Sequence, residues 1–321
     1  MGDMASKTED QAQTIGFLLI PGFALMSYAS AIEPLRAANL FAGRTLYRWV
    51  HVTHKDQVVT SSGGAAIPCT ARVGDDLALD LLLVCAGGNP AQFTHRPTLA
   101  WLRRLAQRGL RIGGVSGGPF ILARAGIMGG HRMTIHWEHA PAFAEEFPDL
   151  LLTRARYVID RNRVTCAGGV APLDLMHALI AEKHGSGLAT KTSDWFLHTE
   201  IHPGGGPQRA SLTERYGIHR RDLIAALELM QNNLGDPLGR DKVARSIGLS
   251  TRQLDRLFAR HLSKSFADHY RTIRLEAAGE LLRHSALTIT EIAIACGFAN
   301  ASHFSNCFKA ETGTSPSAQR R

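Results

Sequence analysis

The 321-residue sequence predicts two domains: a doubly wound α/β domain over residues 14–200 and an all-α domain with two helix-turn-helix motifs over residues 215–321. A linker at 201–214 joins them, and a disordered tail at 1–13 precedes them. Three observations carry this. Apolar strand-length runs alternate with helix-period stretches through the first part of the chain, the pattern of a parallel sheet covered on both faces. One supersecondary unit is then written twice between about Gly239 and Pro316. Between the two regions, His202-Pro-Gly-Gly-Gly-Pro207 reads as a short mobile joint.

In chain order, Ile15 to Ile20 is a short strand ending at Pro21-Gly22, and Leu25 to Leu40 has helical periodicity. Tyr47 to Thr53 is the second strand, and residues 58–67 form a hairpin excursion. Leu79 to Cys85 is apolar but for Asp80 and ends at Gly87-Gly88, so it belongs at the centre of the sheet. A helix from Pro97 to Gln107 stops at Gly109. Arg111 to Val115 is a further strand, turning through Ser116-Gly-Gly118 into a helix. Next come a helix at 138–147, a hairpin of Tyr157 to Ile159 and Val164 to Cys166, and a helix from Pro172 to Lys183. A last helix around Thr190 to His198 closes the domain or contributes a dimer contact.

The strand-turn-helix at Ser116 is the sharpest chemical feature of this half. Gly114-Val-Ser116-Gly-Gly118 satisfies the Gly-x-Ser-x-Gly elbow, whose small neighbours let a strained turn lift one hydroxyl to the carboxyl end of the sheet. Ser116 there reads as a nucleophile or as a polar contact at the first turn of a helix, where free amides favour an anion. His136 and His139 would supply a base, but nothing in the sequence fixes which.

In the C-terminal repeat, Val243, Ala244 and Gly248 are matched 49 residues later by Ile292, Ala293 and Gly297. Leu254, Phe258 and Ser265 are matched 50 residues later by Phe304, Phe308 and Ser315. Each copy is a short helix, a Gly-containing turn and a second helix with core positions four apart, at about 239–262 and 288–312. Ser250 with Gln253 and Thr288 with Glu291 have capping-box spacing, Asn300 suits a helix cap, and residues 265–284 form one connecting helix. Burial of Leu254, Leu257 and Phe258 leaves Thr251, Arg252, Asp255 and Arg256 outward on the first copy's second helix. Burial of Phe304 and Phe308 leaves Ser302, His303, Ser305 and Asn306 outward on the other. These are side chains of the kinds that read base edges in a major groove. A solvated face on an ordinary helical domain is the competing reading for one copy, and two copies in tandem weigh against it.

The net charge of +8 is unevenly spread: residues 211–321 hold 16 Lys and Arg against 11 Asp and Glu, suiting a polyanion partner. None of the five cysteines makes a Cys-x-x-Cys pair, so they read as reduced, mostly buried thiols of a cytoplasmic protein. The first 13 residues lack the arrangement of a secretory signal, and no apolar run reaches the roughly 18 residues of a membrane helix. No membrane partner, cofactor or metal is expected.

On Phe308-Lys-Ala-Glu-Thr-Gly-Thr-Ser-Pro316 and Glu291-Ile-Ala-Ile-Ala-Cys-Gly-Phe298, residues 215–321 resemble the DNA-binding domain of the AraC/XylS family of bacterial transcriptional regulators. The resemblance implies two recognition helices in successive major grooves of promoter DNA, with Thr251, Arg252, Asp255, Arg256, Asn300, Ser302, His303 and Asn306 as the contacting residues. Ala301 stands where a longer polar side chain is common, so the second helix is expected to read less. Residues 14–200 resemble the class I glutamine-amidotransferase-like superfamily, in its PfpI-type branch, which implies a flavodoxin-like fold. Ser116 stands at that family's nucleophilic Cys, Glu33 in Ala31-Ile-Glu33-Pro matches the carboxylate beside it, and His136-Trp137 matches a segment after the elbow.

With the Cys absent, no catalytic residue is assigned and the site is read as a sensor. Glu33, Gly87, Gly88, Ser116, Gly117, His136 and Trp137 are the candidate ligand-binding residues, at the strand ends where open α/β sheets bind ligands. Trp137 beside Glu138 would suit a cation over an aromatic face, against the alternative of a core indole. The two resemblances in this order are similar to the GlxA-like group of the AraC family. That implies an activator responding to a small nitrogenous effector, such as an amino acid or quaternary amine, and acting with RNA polymerase, with a homodimer as a further expectation. The alternatives are a Ser-dependent hydrolase or amidase with a DNA-binding tail, and a helical interaction module that binds no DNA.

Overall fold

The computed structural model describes residues 12–320. The tail expected at 1–13 lies outside the described residues except for Ala12 and Gln13, and Gln13 already opens the first strand. The chain divides into two compact units, one ending at Gln208 and one beginning at Arg209.

The first unit runs β1 (Gln13–Leu19), α1 (Leu25–Ala42), β2 (Tyr47–Thr53), β3 (Val58–Thr60), β4 (Ala66–Pro68), β5 (Ala71–Arg72), β6 (Leu81–Ala86), α2 (Arg96–Gln107), β7 (Arg111–Ser116) and α3 (Gly118–Arg124). It continues with β8 (Arg132–Met133), α4 (Ala140–Glu146), β9 (Leu151–Leu152), β10 (Tyr157–Asp160), β11 (Arg163–Cys166), α5 (Ala171–His184) and α6 (Ser186–Trp195). Seven strands form one sheet in the order β10-β11-β7-β6-β1-β2-β5, parallel at every pairing except β10 with β11. All six residues of β6 are buried, as their unbroken apolar run requires of a central strand. α1, α5 and α6 pack on one another, as do α2 and α3, which is the doubly wound α/β architecture. The small parallel pair β8-β9 and the two-residue edge strand β5 carried no sequence signal.

Because the central strands are parallel, their carboxyl ends gather at one edge of the sheet. Gly22 follows β1, Gly87 and Gly88 follow β6, Ser116 ends β7, and Gly168 and Gly169 follow β11. That edge is the rim on which a site can be built.

The stretch expected to be a joint, 202–207, is laid along the first unit. Gly204 O accepts from the Arg156 and Tyr157 amides at 2.7 and 3.2 Å, and a Cβ at Gly204 would stand 2.7 Å from Tyr157 O. Glycine at 204 thus serves close approach rather than freedom. Gln208 Nε2 donates to Thr134 Oγ1, Ile135 O and Ala155 O. The helix expected near 190–198 starts earlier, at Ser186, and ends at Trp195, so that His198 can turn inward.

His198 turns onto Asp174, a fully buried carboxylate on α5. Arg156 Nε and Nη2 donate to its Oδ2 at 3.0 and 2.7 Å, while Oδ1 meets His198 Nε2 at 2.7 Å and the His202 amide at 3.0 Å. A buried charge survives only with such partners.

The second unit is all helical: α7 (Leu212–Tyr216), α8 (Arg221–Asn232), α9 (Arg240–Ser246), α10 (Thr251–Leu262), α11 (Phe266–His284), α12 (Ile289–Ala295), α13 (Ala301–Thr312) and α14 (Pro316–Gln319). α7 begins inside the stretch assigned to the linker, behind a capping box of Ser211 and Glu214. The boxes at Ser250–Gln253 and Thr288–Glu291 form, Asn300 caps α13, and α11 is the single connecting helix expected. The repeat is geometric as well as sequential: Gly248 and Gly297 both have φ of 71°, and the next amides, Leu249 and Phe298, return to Ala244 O and Ala293 O. Among the described residues no helix is long and apolar enough to cross a membrane.

Asp174→Asn should destabilise the chain by about 3–5 kcal/mol, the cost of leaving Arg156 buried without its charge partner. Burial alone would raise the Asp174 pKa, but the His202 amide, His198 and Arg156 outweigh it and hold the carboxyl below its usual value. A folded-state pKa below the unfolded one contributes stability that is full above the unfolded value and lost as pH falls through the folded one. The gap between wild type and Asp174→Asn in urea melts should therefore narrow below about pH 4. A gap that stays constant into the acid range would show that the charge on Asp174 is not what holds this corner.

Candidate functional site

At the carboxyl edge of the first unit, β7 and α3 meet at a spacing that admits no side chain. A Cβ at Gly118 would lie 2.0 Å from Val84 O, and one at Gly114 would lie 2.5 Å from Pro119 N. The helix is thereby pressed onto the strands, and the turn between them forces Ser116 to φ 60°, a left-handed conformation that a non-glycine residue adopts at a cost. Ser116 is 6% exposed. Gly117 N donates to Ala86 O at 3.1 Å, and a Cβ on Gly117 would meet Pro90 at 3.1 Å. Gly87 is equally constrained, a Cβ there falling 2.6 Å from Gly22 O, whereas Gly88 is required by its φ of 59°.

The neighbour of the elbow that sequence reasoning missed is Ser27. A Cβ on Gly168 would lie 2.8 Å from both Ser116 Cβ and Ser27 Oγ, and Ser27 Oγ accepts from Gly169 N at 2.8 Å. The available signal was Ser27-x-x-Ser30 in the apolar first half of α1, two hydroxyls on one face, both now buried. Glu33 is a correction to the expectation of a carboxylate at the elbow. It lies six residues, about 9 Å, further along α1 than Ser27. Its carboxylate instead takes Arg36 Nε at 2.7 Å on a side chain 43% exposed.

The 136–139 segment does reach the elbow, through the His136 amide and Ser116 O at 3.4 Å. His136 and Trp137 have ring centroids 5.3 Å apart, and His136 Nδ1 lies 3.7 Å from Glu138 Oε2. Trp137 is half-buried rather than a core indole. His136, Glu138 and His139 hold their ligating atoms within 4.8 Å, a donor set that suits a divalent cation. Asp174, His198 and His202 are similarly grouped, but there hydrogen bonds already engage the carboxylate on both oxygens. Neither strand-end thiol replaces the missing cysteine. Burial pushes Cys85 and Cys166 up to about 12, so almost no thiolate exists near neutral pH.

In the second unit the two exposed helix faces differ. On α10, Arg252 and Arg256 are exposed one turn apart, while Thr251 is half-buried. Asp255 is not a free acceptor, because Arg240 Nη1 holds it at 3.0 Å. On α13, Ser302, His303 and Asn306 are exposed, and Ser305 is half-buried. Asn300 uses its Oδ1 to cap the helix, accepting from the His303 amide at 2.8 Å, and His303 packs its ring edge on Phe298 at 5.8 Å. The first helix therefore presents two exposed guanidinium groups where the second presents short polar side chains.

Comparison with known proteins agrees with both halves. Residues 13–182 match the DJ-1/PfpI family, and residues 243–321 match a helix-turn-helix domain. The chain is 48% identical over 318 residues to the HTH-type transcriptional regulator GlxA of Rhizobium meliloti, covering 99% of this chain and 98% of that one. It is 38% identical over 309 residues to the HTH-type transcriptional regulator CdhR of Pseudomonas aeruginosa, covering 96% and 92%. A crystal structure described as an AraC family transcriptional regulator from Pseudomonas putida matches 57% of this chain and 99% of its own, with a TM-score of 0.51 and 26% identity. With an elbow of DJ-1/PfpI type in one unit, a doubled helix-turn-helix in the other and relatives that share both from end to end, the chain belongs to the AraC-type HTH transcriptional regulators that carry an N-terminal DJ-1/PfpI domain.

Proposed function

We propose that this protein is a cytoplasmic, sequence-specific regulator that binds double-stranded promoter DNA through α10 and α13 and answers to a small nitrogenous effector held at the Ser116 edge. The observation that carries the DNA reading is the pair of repeated helix-turn-helix motifs, each with its second helix exposed along one polar face. Arg252 and Arg256 offer the two-pronged donor that matches guanine, and Asn306 offers the amide that matches adenine. The Arg240–Asp255 pair narrows the reading face of α10 to the two arginines.

For the sensor, the supporting features are a strained hydroxyl beside a second buried hydroxyl and a half-buried indole next to Glu138. An aromatic face with a carboxylate beside it suits a cationic head group. Strained elbows persist where binding or chemistry uses them. Without a thiolate, and with its elbow built against hydroxyls and backbone, this one serves binding. Activation through RNA polymerase and pairing of two copies belong to the same proposal, on the strength of the AraC-type resemblance.

Arg256→Ala should cost about 1–3 kcal/mol on a duplex selected by the wild type and relax base choice at one or two positions. Asn306→Ala should cost less, with its affected bases about 10 base pairs away. A base-substitution scan in which Asn306→Ala gives the larger specificity loss would sink the unequal division of labour. At the sensor, Ser116→Ala should weaken binding of the best ligand found in a thermal-shift screen of amines and amino acids by about 0.5–1.5 kcal/mol. No turnover of small amides or esters should distinguish it from wild type. Turnover that disappears in Ser116→Ala while the fold persists would instead make the domain an enzyme.

A further inference from the structure

The turn glycines of the two motifs share one backbone conformation, φ 71° at both Gly248 and Gly297, but not one environment. A Cβ on Gly248 would meet nothing within 4 Å. One on Gly297 would lie 2.5 Å from Leu234 O and 2.6 Å from Pro237 Cγ. From the other side, a Cβ on Gly235 would lie 3.2 Å from Ala295 O. The turn of the second motif thus rests, backbone to backbone, on the segment that leads into α9, the first helix of the first motif.

Two side chains of α11, one helical turn apart, hold the two partners of this contact. Tyr270 Oη donates to Asn233 O at 2.6 Å and accepts from the Leu238 amide at 3.2 Å. Arg274 Nε donates to Cys296 O at 2.6 Å, its Nη2 donates to Gly297 O, and its guanidinium lies 4.1 Å from the Phe298 ring centroid.

Joined only through α11, on which helices of both pack, the motifs would have no direct contact to fix their angle about its two ends. Those ends are Ser263, itself at φ 54°, and the non-helical stretch Ser285 to Leu287. A second, non-local contact closes that linkage into a ring and removes the freedom. We infer that the contact of Gly297 with the 234–237 segment, held by Tyr270 and Arg274 as positioning residues, is a joint that fixes the separation and angle of α10 and α13 and so the half-site spacing the protein accepts. This rests on the DNA reading proposed above. One added base pair turns the far half-site by about 35° about the duplex axis, and a locked pair of helices cannot follow it.

The equal φ of the two glycines supplies the control. Gly248→Ala and Gly297→Ala carry the same backbone strain, but only the second intrudes on the joint; Arg274→Met removes its other support without touching a glycine. In the full-length chain with Cys69→Ser and Cys307→Ser, nitroxide labels at Ala259→Cys and Ala310→Cys report the distance between α10 and α13. Wild type and Gly248→Ala should give one narrow distribution, and Gly297→Ala and Arg274→Met broad ones. On a duplex selected by wild type from a random library, one or two base pairs inserted between the half-sites should weaken wild type and Gly248→Ala by about 10-fold or more, and the joint variants by about 3-fold or less. Identical distributions in all four proteins, or an unchanged spacing penalty in both joint variants, would overturn the joint. If wild type selects no duplex, the DNA reading fails by itself and the label distances still decide whether the joint exists.

Discussion

The first unit of the protein depends on one steric fact: α3 approaches the central strands so closely that Gly118 has no room for a Cβ beside Val84 O. A Cβ on Gly114 would meet Pro119 N on the same terms, and one on Gly113 would lie 2.5 Å from Val164 O across on β11. With β6, β7, β11 and α3 this close, the turn between β7 and α3 has one conformation available, and Ser116 is carried to positive φ by its neighbours rather than by any preference of its own. The same compression draws the loops after β1, β6 and β11 around it, each meeting the rim through a glycine. The site is therefore a product of backbone packing, and side chains enter it only where a neighbouring element happens to reach, as α1 does with Ser27.

Asp174 solves a different problem. A segment carrying three glycines and two prolines has little of its own to hold it, yet residues 198–208 follow a defined course because a buried carboxylate draws His198 and the His202 amide inward. Arg156 balances the charge, and Gly204 and Gln208 complete the attachment on the side of β10. Charge, not apolar burial, orders this stretch, which is why its composition read as mobile.

In the second unit the two motifs share one turn conformation and the buried positions Val243, Ala244, Leu254 and Phe258 against Ile292, Ala293, Phe304 and Phe308, and they differ in what surrounds them. Gly248 answers only to its own φ. Gly297 answers to its φ and to the chain packed against it. The exposed faces diverged as well, toward two arginines on α10 and toward short polar groups on α13, with one asparagine given over to capping.

The sequence by itself determined the elements and their order. Leu81–Ala86 is apolar at every position, so it had to be a central strand; the 49-residue echo of Val243, Ala244 and Gly248 in Ile292, Ala293 and Gly297 had to be a repeated helix-turn-helix; and Ser250, Thr288 and Asn300 marked helix starts because an unpaired amide needs a near acceptor. All of these are local, set by periods of two or 3.6 residues and by capping chemistry within one turn. Tertiary structure alone decided what lies beside what. It set Ser27, not Glu33, against the elbow, since which face of α1 meets the β7 turn depends on the packing of β1 and β11. It also attached the glycine-rich joint to Asp174 across 28 residues of chain and set Gly297 against Leu234, because contacts between distant segments leave no period in the sequence to be read.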